Sequence, residues 1–107
     1  MVVAKALQSA IFLDRDGVLN KTVREEVGNA RAPWTIHEVV TLKQHQPALL
    51  DLAQQGWLLF VVTNQPDVAR NLLAEVDARV INARIASDFP EINASYLCLH
   101  SGADGCR

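Results

Sequence analysis

The stretch AIFLDRDG, Ala10 to Gly17, decides the fold. Ala10, Ile11, Phe12 and Leu13 form a short apolar run with β-branched and aromatic content, which stops abruptly at Asp14, Arg15, Asp16 and Gly17. That pattern predicts a buried strand ending in an acidic turn. Trp57 to Val62 is a second apolar run, bounded by Gly56 and Thr63. It is too short for a core helix and reads as a strand covered on both faces, the kind found in parallel sheets. Tyr96, Leu97, Cys98 and Leu99 form a third short strand.

The segments between these strands supply crossovers. Asn20 to Thr41 has no periodicity, and Gly28, Pro33 and Trp34 punctuate it as a long loop lying over a pocket. Pro47 fits the first turn of a helix with apolar positions Ala48, Leu49, Leu52 and Ala53, and Gly56 fits its stop. Pro66 and Asp67 open a second helix, predicted to run to about Ser87, with Val68, Leu72, Val76 and Val80 on its stripe. The fold class is therefore α/β, an open parallel sheet flanked by helices. In such sheets ligands bind beyond the carboxyl ends of the strands, where Asp14, Asp16, Thr63, Asn64 and His100 fall.

Composition narrows the function. The chain has 107 residues, half of them apolar, with ten Lys plus Arg against twelve Asp plus Glu and two Cys. One domain spanning 1–107 is expected, with no membrane span. The net charge of −2 and the scattered basic residues argue against nucleic acid as a ligand. Residues 1 to 10 lack the apolar region of a secretory signal, so a cytoplasmic location is expected, where thiols stay reduced. Cys98 and Cys106 then read as thiols or metal ligands ahead of a disulfide. His37 and His45 read as solvated loop or helix-flank residues, and Trp34 and Trp57 as core or pocket wall.

Two carboxylates one residue apart at a strand exit suit magnesium, which takes one or two carboxylates plus waters and substrate phosphate. A carboxylate can also attack phosphorus, so Asp14 is the candidate nucleophile and Asp16 the candidate acid and base. An ordinary strand-exit turn is the plain alternative. A calcium loop would place Asp14, Asp16 and Glu25 at its positions 1, 3 and 12, but Leu19 stands where that loop requires Gly. Thr63 and Asn64 alone read as the turn that starts a helix, whose N-terminal partial positive charge would welcome an anion.

Phe12 to Asn20, FLDRDGVLN, followed about fifty positions later by VVTNQ at Val61 to Gln65, resembles the first two motifs of the haloacid dehalogenase (HAD) phosphohydrolase superfamily. The resemblance is greatest to its histidinol-phosphate phosphatases and D,D-heptose bisphosphate phosphatases. It implies that Asp14 is the nucleophile and a Mg²⁺ ligand. Asp16 would protonate the leaving alcohol, activate water and give its backbone carbonyl to the metal. Gly17 would allow close approach of the phosphoryl group, Thr63 would hold a phosphate oxygen with Asn64 beside it, and Arg70 would meet a substrate phosphate. QPDVAR, Gln65 to Arg70, departs from the commoner Gln-Ser-Gly-x-Ala-Arg form.

Cys98, His100 and Cys106 are three of the four N or S ligands that a structural zinc site wants. In the resembling subgroup the loop continues as Cys-x-Cys-Arg-Lys-Pro. That places the fourth Zn²⁺ ligand, the third-motif Lys and the fourth-motif acids beyond Arg107, and implies a HAD-like Rossmannoid sheet truncated after its third strand. The strand carrying Asp14 would be left at an open edge, which predicts a homodimer through that edge. The resulting expectation is a Mg²⁺-dependent phosphomonoester hydrolase acting on a small phosphorylated metabolite such as a sugar phosphate, heptose bisphosphate or histidinol phosphate. A catalytically impaired remnant that binds metal or phosphate, or pairs with a partner chain, is the second expectation. A phospho-accepting signalling domain is the third.

Overall fold

A computed structural model describes residues 9–25 and 28–100. Strand β1 (Ala10–Leu13) is followed by the short strands β2 (Val23–Arg24) and β3 (Ala30–Arg31), helix α1 (Gln46–Gln54), strand β4 (Leu58–Asn64), helix α2 (Glu75–Ser87) and strand β5 (Ala94–Cys98). The main sheet has the order β1-β4-β5. Both pairings are parallel, from Ala10 opposite Leu58 to Leu13 opposite Val61, and from Phe60 opposite Ala94 to Asn64 opposite Cys98. Among the described residues β1 thus lies at an edge, as the family resemblance implied.

Period-two alternation divides the sheet into two faces. Leu59 and Val61 of β4 pack in one core with Leu49 of α1, Ala78, Ile81 and Ile85 of α2, and Phe89. Leu19, from the turn after β1, joins them at 1% exposure, so the side chain that argued against a calcium loop is a core residue. On the opposite face the rings of Phe12 and Phe60 stack at 5.5 Å, and Phe60 meets Tyr96 at 6.3 Å. Phe12 is 67% exposed, and Val62 and Tyr96 are also exposed. The expectation that β4 is covered on both faces is therefore corrected. Both helices pack on one face, and among the described residues nothing covers the other.

The second helix also differs from expectation. Residues 66–70 make one helical turn that ends where Asn71 adopts φ 62°. The N–H of Asn71 donates to Val68 O at 3.1 Å and that of Leu72 to Asp67 O at 2.9 Å, the two bonds of a Schellman closure. α2 starts only at Glu75, and its buried face is Ala78, Ile81 and Ile85, not Leu72, Val76 and Val80, which are exposed. The same closure ends α1, where Gly56 at φ 93° donates to Ala53 O and Trp57 to Leu52 O.

The loop after β1 has structure of its own. β2 and β3 pair antiparallel, Asn20 bridges to both Asp16 and Thr41, and short 3₁₀ turns occupy Ile36–Glu38 and Lys43–His45. His45 is exposed and flanks the start of α1, as expected, and its Nδ1 lies 2.7 Å from the carbonyl of Val18. Among the described residues no helix is long and apolar enough to cross a membrane.

Because Asn71 sits in the left-handed region, Asn71→Gly should leave stability within about 0.5 kcal/mol, whereas Asn71→Val should lose about 1–2 kcal/mol. Urea unfolding of the two variants checks this.

Candidate active site

β1 ends at Leu13, so alternation leaves Asp14 exposed and turns Arg15 into the core at 2% exposure. The Arg15 carbonyl then accepts the N–H groups of Val18, Leu19 and Asn20, and Gly17 donates to Asn20 O at 2.7 Å. This tight turn requires φ 87° at Gly17, where an added Cβ would meet nothing within 4 Å. The glycine is needed here for its backbone angle rather than for room.

Asp14, Arg15, Asp16, Val62, Thr63 and Asn64 line one cavity of about 170 Å³ at the carboxyl ends of β1 and β4. The two carboxylates differ sharply in environment. Oδ1 of Asp16 accepts hydrogen bonds from Arg15 Nε at 3.1 Å, Arg15 Nη2 at 2.9 Å and Asn20 Nδ2 at 3.0 Å. Its Oδ2 accepts one from Gln65 Nε2 at 2.8 Å. No hydrogen bond or ion pair engages the Asp14 carboxylate among the described residues. Gln65 Nε2 also donates to Thr63 Oγ1 at 2.8 Å, which leaves the Thr63 hydroxyl proton free for another acceptor.

The structure thus brings together Asp14, Asp16, Thr63 and Asn64, with Gly17 in the adjoining turn but not in the cavity lining. Arg70 stands apart from the cavity lining, exposed and ion-paired with Asp67 at 3.4 Å. The helix start after Thr63 is a single turn rather than the head of a long helix. Arg15, Asn20 and Gln65 were not picked out from sequence as site residues. Arg15 stood inside FLDRDGVLN, Asn20 at its end and Gln65 at the end of VVTNQ, each without an assigned role. Burial of polar side chains against an acidic motif is the signal that marks them, and it depends on the fold.

The zinc expectation fares differently. Cys98 is disulfide-bonded, which corrects the reading of a reduced thiol, and a disulfide sulfur has no thiolate charge to offer a metal. His100 is exposed, and Cys106 lies outside the described residues. No cluster of three or more His, Cys, Asp or Glu side chains able to hold a metal occurs among the described residues. A larger hollow of about 520 Å³ adjoins the site across Val62 and is lined by Val68, Arg79, Tyr96, Cys98 and His100 among others.

The loop after β1 is clasped near this site. Arg31 pairs with Glu25 and, at 2.6 Å, with Glu38, while its guanidinium lies 3.8 Å above the Trp34 ring. Trp34 Nε1 donates to Asp67 Oδ2 at 2.9 Å, joining the loop to the turn after β4. The hydrogen bond from Arg31, aided by the N–H groups of Trp34 and Thr35, lowers the Glu38 carboxyl to about 2.

Paired carboxylates at the exit of the first strand of a parallel sheet thus stand beside a Thr-Asn pair from the next strand in the sheet, at the end where open parallel sheets bind ligands. Comparison with known proteins gives the particular relatives. The chain is 31% identical over 103 residues to the D-glycero-β-D-manno-heptose-1,7-bisphosphate 7-phosphatase of Pseudomonas aeruginosa, covering 92% of this chain and 54% of that protein. It is 36% identical over 106 residues to the D-glycero-α-D-manno-heptose-1,7-bisphosphate 7-phosphatase of Mycobacterium tuberculosis, covering 94% and 53%. In structure it is similar to the D,D-heptose 1,7-bisphosphate phosphatase of B. bronchiseptica complexed with magnesium and phosphate, with a TM-score of 0.72 and 26% identity over 92% of this chain and 54% of the other. A HAD-like protein from Mesorhizobium loti superposes with a TM-score of 0.68 and 27% identity, covering 96% and 47%. No family model matches the chain. Its homologues are heptose-bisphosphate phosphatases of the HAD superfamily, its fold is that of HAD-like phosphatases, and it spans about half the length of the relatives it matches.

Glu38 holds its proton less tightly in the folded chain than the ordinary 4.5. Its contribution to stability is therefore complete above that value and disappears as pH falls through about 2. Thermal unfolding between pH 5 and about 2 should show a smaller acid loss in Glu38→Gln than in the parent.

Proposed function

We propose that this protein is a phosphomonoester hydrolase of the HAD type whose substrate is a small phosphorylated sugar, with a heptose bisphosphate as the leading case. The observation that carries the reading is the contrast within one cavity between an unbonded, exposed Asp14 carboxylate and an Asp16 carboxylate held by four hydrogen bonds. A nucleophile needs a free oxygen pair, and an acid–base group needs a fixed one.

In this mechanism an Asp14 oxygen attacks the substrate phosphorus and the bond to the leaving sugar oxygen breaks. Asp16 delivers a proton to that oxygen, leaving an aspartyl-phosphate. Asp16 then takes a proton from water, whose oxygen attacks the same phosphorus, and cleavage of the acyl phosphate frees inorganic phosphate and restores Asp14. Oδ2 of Asp16, with one hydrogen bond against three at Oδ1, is the oxygen with room for the transferred proton. The Thr63 hydroxyl, accepting from Gln65, can donate to a phosphoryl oxygen, and Asn64 lines the approach.

The donor set fits Mg²⁺, which takes one or two carboxylates and completes its shell with water and phosphate. Asp14 and the backbone carbonyl of Asp16 would hold it, since the Asp16 side chain is committed to its own partners. When bound, the ion would supply charge neutralisation between carboxylate and phosphate. The similar B. bronchiseptica protein, complexed with magnesium and phosphate, supports this choice.

Hydrolysis of an aryl phosphate and of a heptose bisphosphate with added Mg²⁺, followed as phosphate release, tests the reading. Turnover that falls to background in Asp14→Asn is expected, and equal release by parent and variant would sink the hydrolase. Association of two copies through the open edge of β1 belongs to the same proposal. It is supported by that edge position and by the exposed ring of Phe12, and a chain that sediments as a monomer at high concentration counts against it.

A further inference from the structure

Arg15 is the largest of the fully buried side chains, with 1% of it exposed. It stands in sequence between the two carboxylates of the proposed reaction but turns to the helix side of the sheet. A guanidinium withdrawn from water costs stability unless it is well paired, and an apolar side chain of similar volume would fill the space with less penalty. Its partners therefore carry information. Nε and Nη2 both donate to Asp16 Oδ1, and Nη1 donates to Asn82 Oδ1 at 3.2 Å. Asn82 lies in α2 and is itself fixed, because its Nδ2 donates to Ser95 Oγ of β5 at 3.0 Å.

We propose that Arg15, held from behind by Asn82 and Ser95, is the positioning residue that orients the Asp16 carboxylate for proton transfer. Two N–H groups of one rigid plane converge on a single oxygen. With Asn20 they fill Oδ1 and present Oδ2 as the working atom. The acceptor on Asn82 fixes the third corner of that plane. Without it the guanidinium gains freedom to swing and takes the carboxylate with it. Asn82 does not line the cavity, so it acts on the reaction through Arg15. The proposal rests on the hydrolase reading, and its test separates the two.

Asn82→Leu keeps the volume and removes the acceptor. Asn82→Asp keeps an acceptor for Arg15 and lets the Ser95 hydroxyl donate in place of the lost amide. With an aryl phosphate and Mg²⁺, Asn82→Leu should lower kcat about 10- to 100-fold, the scale of a misplaced catalytic group, while KM stays within about twofold. Asn82→Asp should recover most of the loss. By ¹⁵N NMR, the Arg15 Nε–H should exchange with solvent about tenfold faster in Asn82→Leu than in the parent, since local opening governs exchange. Equal kcat in the parent and Asn82→Leu overturns the proposal, as does an equal fall in the Leu and Asp variants. Should the parent turn over no faster than Asp14→Asn, the hydrolase reading fails by itself, and Nε–H exchange decides the strut: unchanged exchange in Asn82→Leu overturns it, and faster exchange upholds it. If Asn82→Leu does not fold, Ser95→Ala loosens the same strut from its far end, and unaltered Nε–H exchange there overturns the proposal as well.

Discussion

The hydrogen bonds that converge on the Asp16 carboxylate hold distant parts of the chain to one point. Arg15 reaches it from the exit of β1, Asn20 from the turn that follows, and Gln65 from the end of β4. Behind Arg15 stands Asn82 of α2, and the backbone N–H of Gln65 is tied to Cys98 O at the end of β5. Hydrogen bonds to a charged group contribute about 1.5–3 kcal/mol each. Arg15 is buried while 21% of the Asp16 side chain is exposed, so the loss of the carboxylate would leave a buried guanidinium short of its counter-charge. The carboxylate is thus a structural centre as well as a chemical one, and strand ends that could otherwise drift are held in register by it.

Local sequence made much of this legible. The apolar run Ala10 to Leu13 and its acidic exit gave β1 and the placement of Asp14. Gly56, a residue at home at positive φ, marked the end of α1. The structure closed the turn at 66–70 by the same pair of hydrogen bonds but with Asn71, the non-glycine type that tolerates that conformation. Inside a run of apolar spacing such a residue reads as a helix surface position, and so the start of α2 was placed nine residues early. Val76 and Val80 followed from that error, because a helix phased from Pro66 points a different stripe at the core than one phased from Glu75.

What stayed hidden are the polar residues whose role is defined by partners far along the chain. Arg15 meets Asn82 across 67 residues and Gln65 meets Asp16 across 49. Nothing local distinguishes a buried arginine from a solvated one, and the buried state is stable only once the fold has brought the acceptors. The disulfide at Cys98 was misjudged for a related reason: expected compartment, not geometry, had decided the reading. The uncovered face of the sheet likewise depends on where both helices settle, which period-two and period-four patterns do not specify.

The register of β1 on β4 governs how the protein is made. Ala10 pairs with Leu58 and Leu13 with Val61, so β1 waits for this neighbour in the sheet until about fifty more residues have been added. At translation rates of about 5–20 residues per second that delay lasts roughly 3–10 s. Throughout it an apolar segment ending in two acids waits as nascent chain, within reach of chaperones, and the reacting carboxylates acquire their geometry only when the central strand arrives.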